Sequence, residues 1–167
     1  MGAEEWAYLA MSRDCSWIPG CFENVSSTGF DCIRDCTSDS TPQYNCIAWA
    51  AGKTNEPWWP TDQIQGYFWP PGLPREPIDQ ETVGNFVKAF ETEGYVVCDD
   101  GAIEQSFEKI AIYADTNKRP LHAARSLSKG VWSSKMGDLE DIEHATLEAV
   151  AGKQYGSPVA FLKRLHK

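Results

Sequence analysis

Six of the chain's ten prolines fall between residues 53 and 79, and that density rules out regular structure through the middle of the chain. Each proline ring holds φ near about −65° and removes a backbone donor, so neither a helix nor a central strand survives there. The same stretch carries Trp58, Trp59, Tyr67, Phe68 and Trp69. Rings of this size are rarely left in water, so the segment reads as a loop whose aromatics fold back on a core. Some of them remain available to line a cleft.

On the N-terminal side, residues 1–42 are rich in Cys, Ser, Asp and Gly and show few periodic apolar positions. They read as a Cys-rich extension with one short helix near Glu4–Met11, preceding a domain over 43–167. Of the cysteines, Cys15, Cys21, Cys32 and Cys36 lie in this extension and Cys46 and Cys98 beyond it. Two disulfides, free thiols or a zinc site are all open for the first four. Their spacing does not match the close Cys-x-x-Cys pairs of zinc ribbons.

The run YNCIAWAAG over 44–52 predicts a short helix starting near Asn45, because Asn is a good N-cap and a terminal Gly suits the C′ position. Beyond the proline segment, Val83, Phe86, Val87 and Phe90 stand at helical spacing, and Gly94 follows them. Strand patterns then dominate: Tyr95–Cys98, Lys109–Ala114, Leu121–Leu127 and Val131–Lys135, the last two joined as a hairpin by Ser128-Lys129-Gly130. Asp138–Val150 reads as a second long helix, with Leu139, Ile142, Leu147 and Val150 as its stripe. Pro158–Leu165 reads as a final strand. Helices and strands segregated in this way predict an α+β fold.

A length of 167 residues suits one domain. The formal charge of −9 argues against a nucleic-acid partner and leaves a basic substrate open. No apolar stretch approaches the roughly 20 residues needed to span a bilayer, so no membrane partner is expected. The acidic N-terminus does not resemble a cleavable Sec leader. The expectation is a cytoplasmic protein or one exported by another route, with its oligomeric state open.

Chemistry concentrates on few side chains. A thiol becomes a useful nucleophile when a neighbouring imidazolium or a helix N-terminus lowers its pKa from about 8.5. Cys46 sits at the expected helix start, whereas Cys98 falls in a strand and reads as core. Among His122, His144 and His166, His122 opens a strand and is the candidate base. A third group orienting the imidazole is expected at Asp141 or, across the hairpin, at Ser134. Gln43 and Asn45 precede the thiol and are candidate oxyanion donors, with Trp59 and Trp132 as candidate substrate contacts. A competing arrangement places His122, Asp141 and His144 around a metal, with Asp141 and His144 on one helix face.

The motifs YNCIAWA, LHAARSL, VWSSKMG and DIEHATLEAV, in this order, resemble a bacterial family of uncharacterised domains patterned Asn-Cys-Ile-Ala-Trp-Ala, His-Ala-Ala-Arg, Trp-x-Ser-Lys-x-Gly and Asp-Ile-Glu-His. The likeness covers about residues 43–165. The Cys-then-His order in turn resembles the papain-like superfamily, which includes cell-wall amidohydrolases and toxin or effector domains. That resemblance implies a helix bearing Cys46 packed on an antiparallel sheet bearing His122, with an orienting residue near Ser134.

The leading functional expectation is a thiol hydrolase acting on a peptide or other amide without a cofactor: a peptidase, amidase or deamidase. Two alternatives stand beside it. One is a non-enzymatic interaction module whose Trp-rich loop recognises a partner. The other is a metal-dependent enzyme.

Overall fold

The computed structural model describes Phe22 and residues 33–167. The short helix expected near Glu4–Met11 lies outside the described residues. Seven strands make up one sheet: β1 (Ile33–Cys36), β2 (Val96–Cys98), β3 (Phe107–Ala114), β4 (Pro120–Ser126), β5 (Trp132–Lys135), β6 (Asp141–His144) and β7 (Ser157–Leu165). Their order is β1-β6-β5-β4-β3-β7-β2, and every pairing is antiparallel. Only two α-helices accompany it among the described residues, α1 (Cys46–Ala50) and α2 (Val83–Glu91), with a 3-10 turn at Leu147–Val150.

The expectation of a papain-like α+β fold is therefore corrected. The domain is dominated by its antiparallel sheet, and α1, with five residues, is too short to form the helical layer that fold needs. The expected helix over Asp138–Val150 is the main cause of the difference. That segment forms strand β6 and then the 3-10 turn. Its apolar residues happen to recur at helical spacing, but Leu139 is exposed while Asp141, Ile142, Glu143 and His144 are all buried. The buried acids have partners on other strands and loops: Tyr44 donates to Asp141 at 2.8 Å, and Lys129 pairs with Glu143 at 2.5 Å. Partners distant in sequence thus decide the conformation of this run.

Each face of the sheet carries a core. Ile110, Ile112, Ala123 and Leu162 face α1 and α2 and pack with Ile47, Phe86 and Phe90. Ala111, Tyr113, Ala124, Trp132 and Ile142 face the other way and pack with Leu147 and Val150. Side chains alternate along a strand, so β3 and β4 are apolar on both faces and read as nearly continuous hydrophobic runs. Strand β1 precedes residue 43 and pairs with β6, so the sheet begins inside the segment read as an extension. Cys36, at the end of β1, is disulfide-bonded, while Cys46 and Cys98 are free thiols.

The proline-rich stretch forms an ordered loop locked to α2. Trp59 donates its backbone N–H to Phe68 O at 3.0 Å, and Phe68 donates to Pro57 O at 2.9 Å. The Trp59 and Trp69 rings each stand edge-on to Phe86 with centroids 5.1 Å apart. Trp58 and Trp69 are buried in the helix-side core. Asn45 staples the loop to α1: its Oδ1 accepts from Ala48 N at 3.1 Å and Trp58 N at 3.0 Å, and its Nδ2 donates to Trp58 O at 2.8 Å. The residue expected to cap α1 therefore also holds the aromatic loop in place.

Candidate functional site

Cys46 and His122 lie on opposite faces of strand β4. His122 pairs with Tyr113 across the strands, and both side chains point to the face away from the helices. Cys46 packs on the helix-side face with Ala123. Backbone N–H groups of Ala123, Ile47 and Cys46 itself approach the sulfur and favour a thiolate, but desolvation outweighs them and pushes the thiol up to about 11. Lys135 is the nearby charge acting on it. A thiol this buried is a weak nucleophile at neutral pH.

His122 does meet Ser134. Its Nε2 lies 2.9 Å from Ser134 Oγ, and the same hydroxyl lies 2.8 Å from His144 Nε2. His144 Nδ1 closes the chain on Thr146 O at 2.8 Å. The His122 ring stacks on Tyr155 at 4.0 Å with the planes 9° apart, and its Nδ1 has no hydrogen-bond partner among the described residues. Desolvation holds both imidazoles neutral, with His144 lowered to about 4 and His122 well below its ordinary value. Because His144 Nδ1 donates to Thr146 O, the Ser134 hydroxyl donates to His144 Nε2 and accepts from His122 Nε2, a core network in which His122 Nδ1 is left as a bare acceptor.

Asp141 projects to the helix-side face, apart from His122 and Ser134. Its Oδ2 accepts from Tyr44 at 2.8 Å, and burial raises its pKa. Lys135, fully buried beside it, donates to Thr41 O at 2.9 Å and to Leu139 O. Asp141 and His144 sit three positions apart on a strand and so point to opposite faces. The shared helix face expected for metal ligation is absent, and no group of three or more His, Cys, Asp or Glu able to hold a metal occurs among the described residues. Gln43 is exposed in the segment before α1. Trp132 is buried on the far face, where it borders a shallow depression with Gly101, Thr146 and Phe161.

Asn45 and Trp59, both expected near a substrate, do come together. They line a cleft of about 300 Å³ with Thr61, Ile64, Tyr67, Ile78, Glu81 and Arg119. The aromatic loop forms one wall, and the turn between β3 and β4 brings in Arg119. Asp115 ties that turn, its Oδ1 accepting from the backbone N–H of Asn117 and of Arg119, each at 2.9 Å. Lys118 takes the left-handed conformation there, at φ 64.

At the base of the cleft lies Glu81, whose side chain is 1% exposed. Trp59 Nε1 donates to its Oε1 at 2.9 Å. Its Oε2 has no hydrogen-bond partner, the nearest cation being Arg119 Nε at 3.6 Å. Arg119 Nε is likewise without one, while Arg119 Nη2 is held by Asp79 at 3.0 Å. Glu81 and Arg119 form a buried ion pair, and the Arg119 charge offsets part of the cost of leaving this carboxylate oxygen without a hydrogen bond. Sequence reasoning missed Glu81 and Arg119. Glu81 stands just before the N-cap Thr82 and looks like a helix-start acid, and Arg119 looks like an ordinary turn residue.

No curated protein and no solved structure matches the chain. A family model described as a domain of unknown function, DUF7689, matches residues 35–163. The match takes in the second half of β1, all of β2 to β6 and most of β7, with both faces of the sheet and the whole cleft, and on that basis the chain belongs to the DUF7689 family.

Proposed function

We propose that this domain is a non-catalytic recognition module that binds its ligand in the cleft between the aromatic loop and the β3–β4 turn. The observation that carries this reading is the cleft itself, about 300 Å³ with Trp59, Tyr67 and Ile78 on its walls and the buried Glu81–Arg119 ion pair beneath them. The walls are prepared in advance. Asn45, Phe86 and Asp115 fix the loop and the turn through contacts that need no ligand. Rigid walls reduce the ordering cost of binding. The placement of Cys46 and His122 on opposite faces favours recognition over thiol hydrolysis, since a base must come within hydrogen-bond reach of its nucleophile.

The test is chemical-shift mapping of the full chain with a library of small polar organic fragments. The expected result is perturbation clustered at Trp59, Tyr67, Ile78, Glu81 and Arg119. Perturbation clustered at Cys46 and Lys135, or on no coherent surface, overturns the reading.

A further inference from the structure

We propose that the depression beside Trp132, on the sheet face away from the helices, is a second ligand site that takes a small neutral amide with an apolar ring, its carbonyl accepting from Trp132 Nε1. The site shares no lining residue with the Glu81 cleft, so either can stand without the other.

Trp132 is fixed in mid-sheet. It pairs with Ser126 on β4 and with His144 on β6, and its side chain is buried in the core of that face, at 2% exposure. Its indole N–H makes no hydrogen bond among the described residues, yet it is not sealed from solvent. The little of the ring that is exposed therefore includes the N–H, at the depression that Trp132 lines. A tryptophan this buried usually finds its N–H a partner. Here the donor opens onto the depression, where the acceptor of a ligand takes the place of water.

The surroundings of that donor are apolar. The depression holds about 480 Å³, within the range of about 300–1,000 Å³ common for small-molecule sites. Ile103, 40% exposed, lines it together with Leu147 and the half-buried Pro158 and Phe161. Covering these side chains removes apolar surface from water. The wall is set without a ligand. A Cβ on Gly101 would stand 2.6 Å from Leu147 Cδ1 and 2.9 Å from Phe161 Cε1, so the backbone at Gly101 already rests on both side chains.

Polarity selects the class of ligand. An indole N–H only donates, so the ligand must bring an acceptor, and a bare ammonium has none. Glu148 is exposed on the rim and the whole chain carries −9, which disfavours a carboxylate or a phosphate. A neutral carbonyl meets both conditions. Thr146, whose side chain makes no capping bond to the 3-10 turn, lines the same depression and offers its hydroxyl oxygen to an amide N–H.

The experiment titrates the isotope-labelled full chain with acetanilide and follows the Trp132 indole N–H, assigned by triple resonance. N-ethylaniline replaces the carbonyl by a methylene, and 4-acetamidobenzoate adds a negative charge. The expected result is saturable movement of the Trp132 indole with acetanilide, and binding at least fivefold weaker with either comparison compound. Trp132→Phe keeps an aromatic ring and loses the donor, and is expected to weaken acetanilide binding at least fivefold. Ile103→Ser changes an exposed position, so the fold is not at risk, and is expected to weaken binding at least threefold.

Equal or tighter binding of N-ethylaniline or 4-acetamidobenzoate overturns the proposal, as does undiminished binding by folded Trp132→Phe or by Ile103→Ser. Should Trp132→Phe not fold, Ile103→Ser and the two comparison compounds decide. Acetanilide that leaves the Trp132 indole unmoved also overturns it. Movement confined to Trp59 and Arg119 does the same while supporting the Glu81 cleft, so the two sites fail separately.

Discussion

His122 and Ala123 are consecutive in sequence yet serve opposite faces of the sheet: the backbone N–H of Ala123 reaches the Cys46 sulfur, while the His122 imidazole turns away to share the Ser134 hydroxyl with His144. Strand geometry enforces this separation, since adjacent side chains in a strand point apart. A cysteine and a histidine in a suggestive order are thereby divided between two cores.

Cys46 is expected to be chemically inert in the native state. Iodoacetamide at pH 7.5, followed by peptide mass spectrometry, should label the partly exposed Cys98 first and Cys46 only at the rate of unfolding. Native labelling of Cys46 ahead of Cys98 at pH 6 contradicts this.

The imidazole pair makes the fold sensitive to acid. Both histidines are held below their ordinary value of 6.5 in the native state, His144 at about 4. Between those values the unfolded chain binds protons that the native chain refuses, so stability falls as pH drops below about 6.5. Each imidazole contributes a slope of up to about 1.4 kcal/mol per pH unit. The raised carboxyl of Asp141 acts in the opposite sense, so the histidine contribution is read as the difference between the unaltered chain and His144→Gln from pH 7 to 5. Urea midpoints measured across that window should fall, and His144→Gln should flatten the decline. A midpoint independent of pH would show that the rings are not buried as described.

Gly156 supports the strand that completes the sheet. It has φ +72, and a Cβ there would stand 2.0 Å from Ala114 O. Gly156→Ala is expected to cost at least about 2 kcal/mol, from backbone strain together with the clash. Gly130→Ala is the control: it shares the positive φ but meets nothing within 4 Å, so it should cost less. Urea unfolding of the two variants checks the ordering.

Asn45 is expected to couple the helix to the aromatic loop. Asn45→Ala removes the α1 cap and both bonds to Trp58, and should destabilise the domain by about 2–3 kcal/mol. It should also broaden the Trp59 indole resonance. Asn45→Asp keeps the acceptor and should recover the cap but not the bond to Trp58 O.

Much of this architecture was legible in local chemistry. Asn45 before an Ala-rich run marked α1, the spacing of Val83, Phe86, Val87 and Phe90 marked α2, and apolar runs near Lys109–Ala114 and Leu121–Leu127 marked β3 and β4. The aromatic loop was expected to fold back on the core, and Trp58 and Trp69 do. The Asp141–His144 run was not legible, because its conformation is set by Tyr44 and Lys129 and by pairing with β1 and β5. The site was legible only in part. Asn45 and Trp59 carry recognisable signals, but the approach of Glu81 to Arg119 depends on where two turns end, and no local pattern encodes that distance.

The account rests on function residing in the Glu81 cleft and not at the free thiol beneath α1. Titration of the fragment that most perturbs the cleft against Cys46→Ala and Glu81→Gln, side by side with the unaltered chain, tests this most directly. The predicted result is unchanged affinity for Cys46→Ala and at least a tenfold loss for Glu81→Gln. Loss of binding in Cys46→Ala with full retention in Glu81→Gln, both variants being folded, contradicts it.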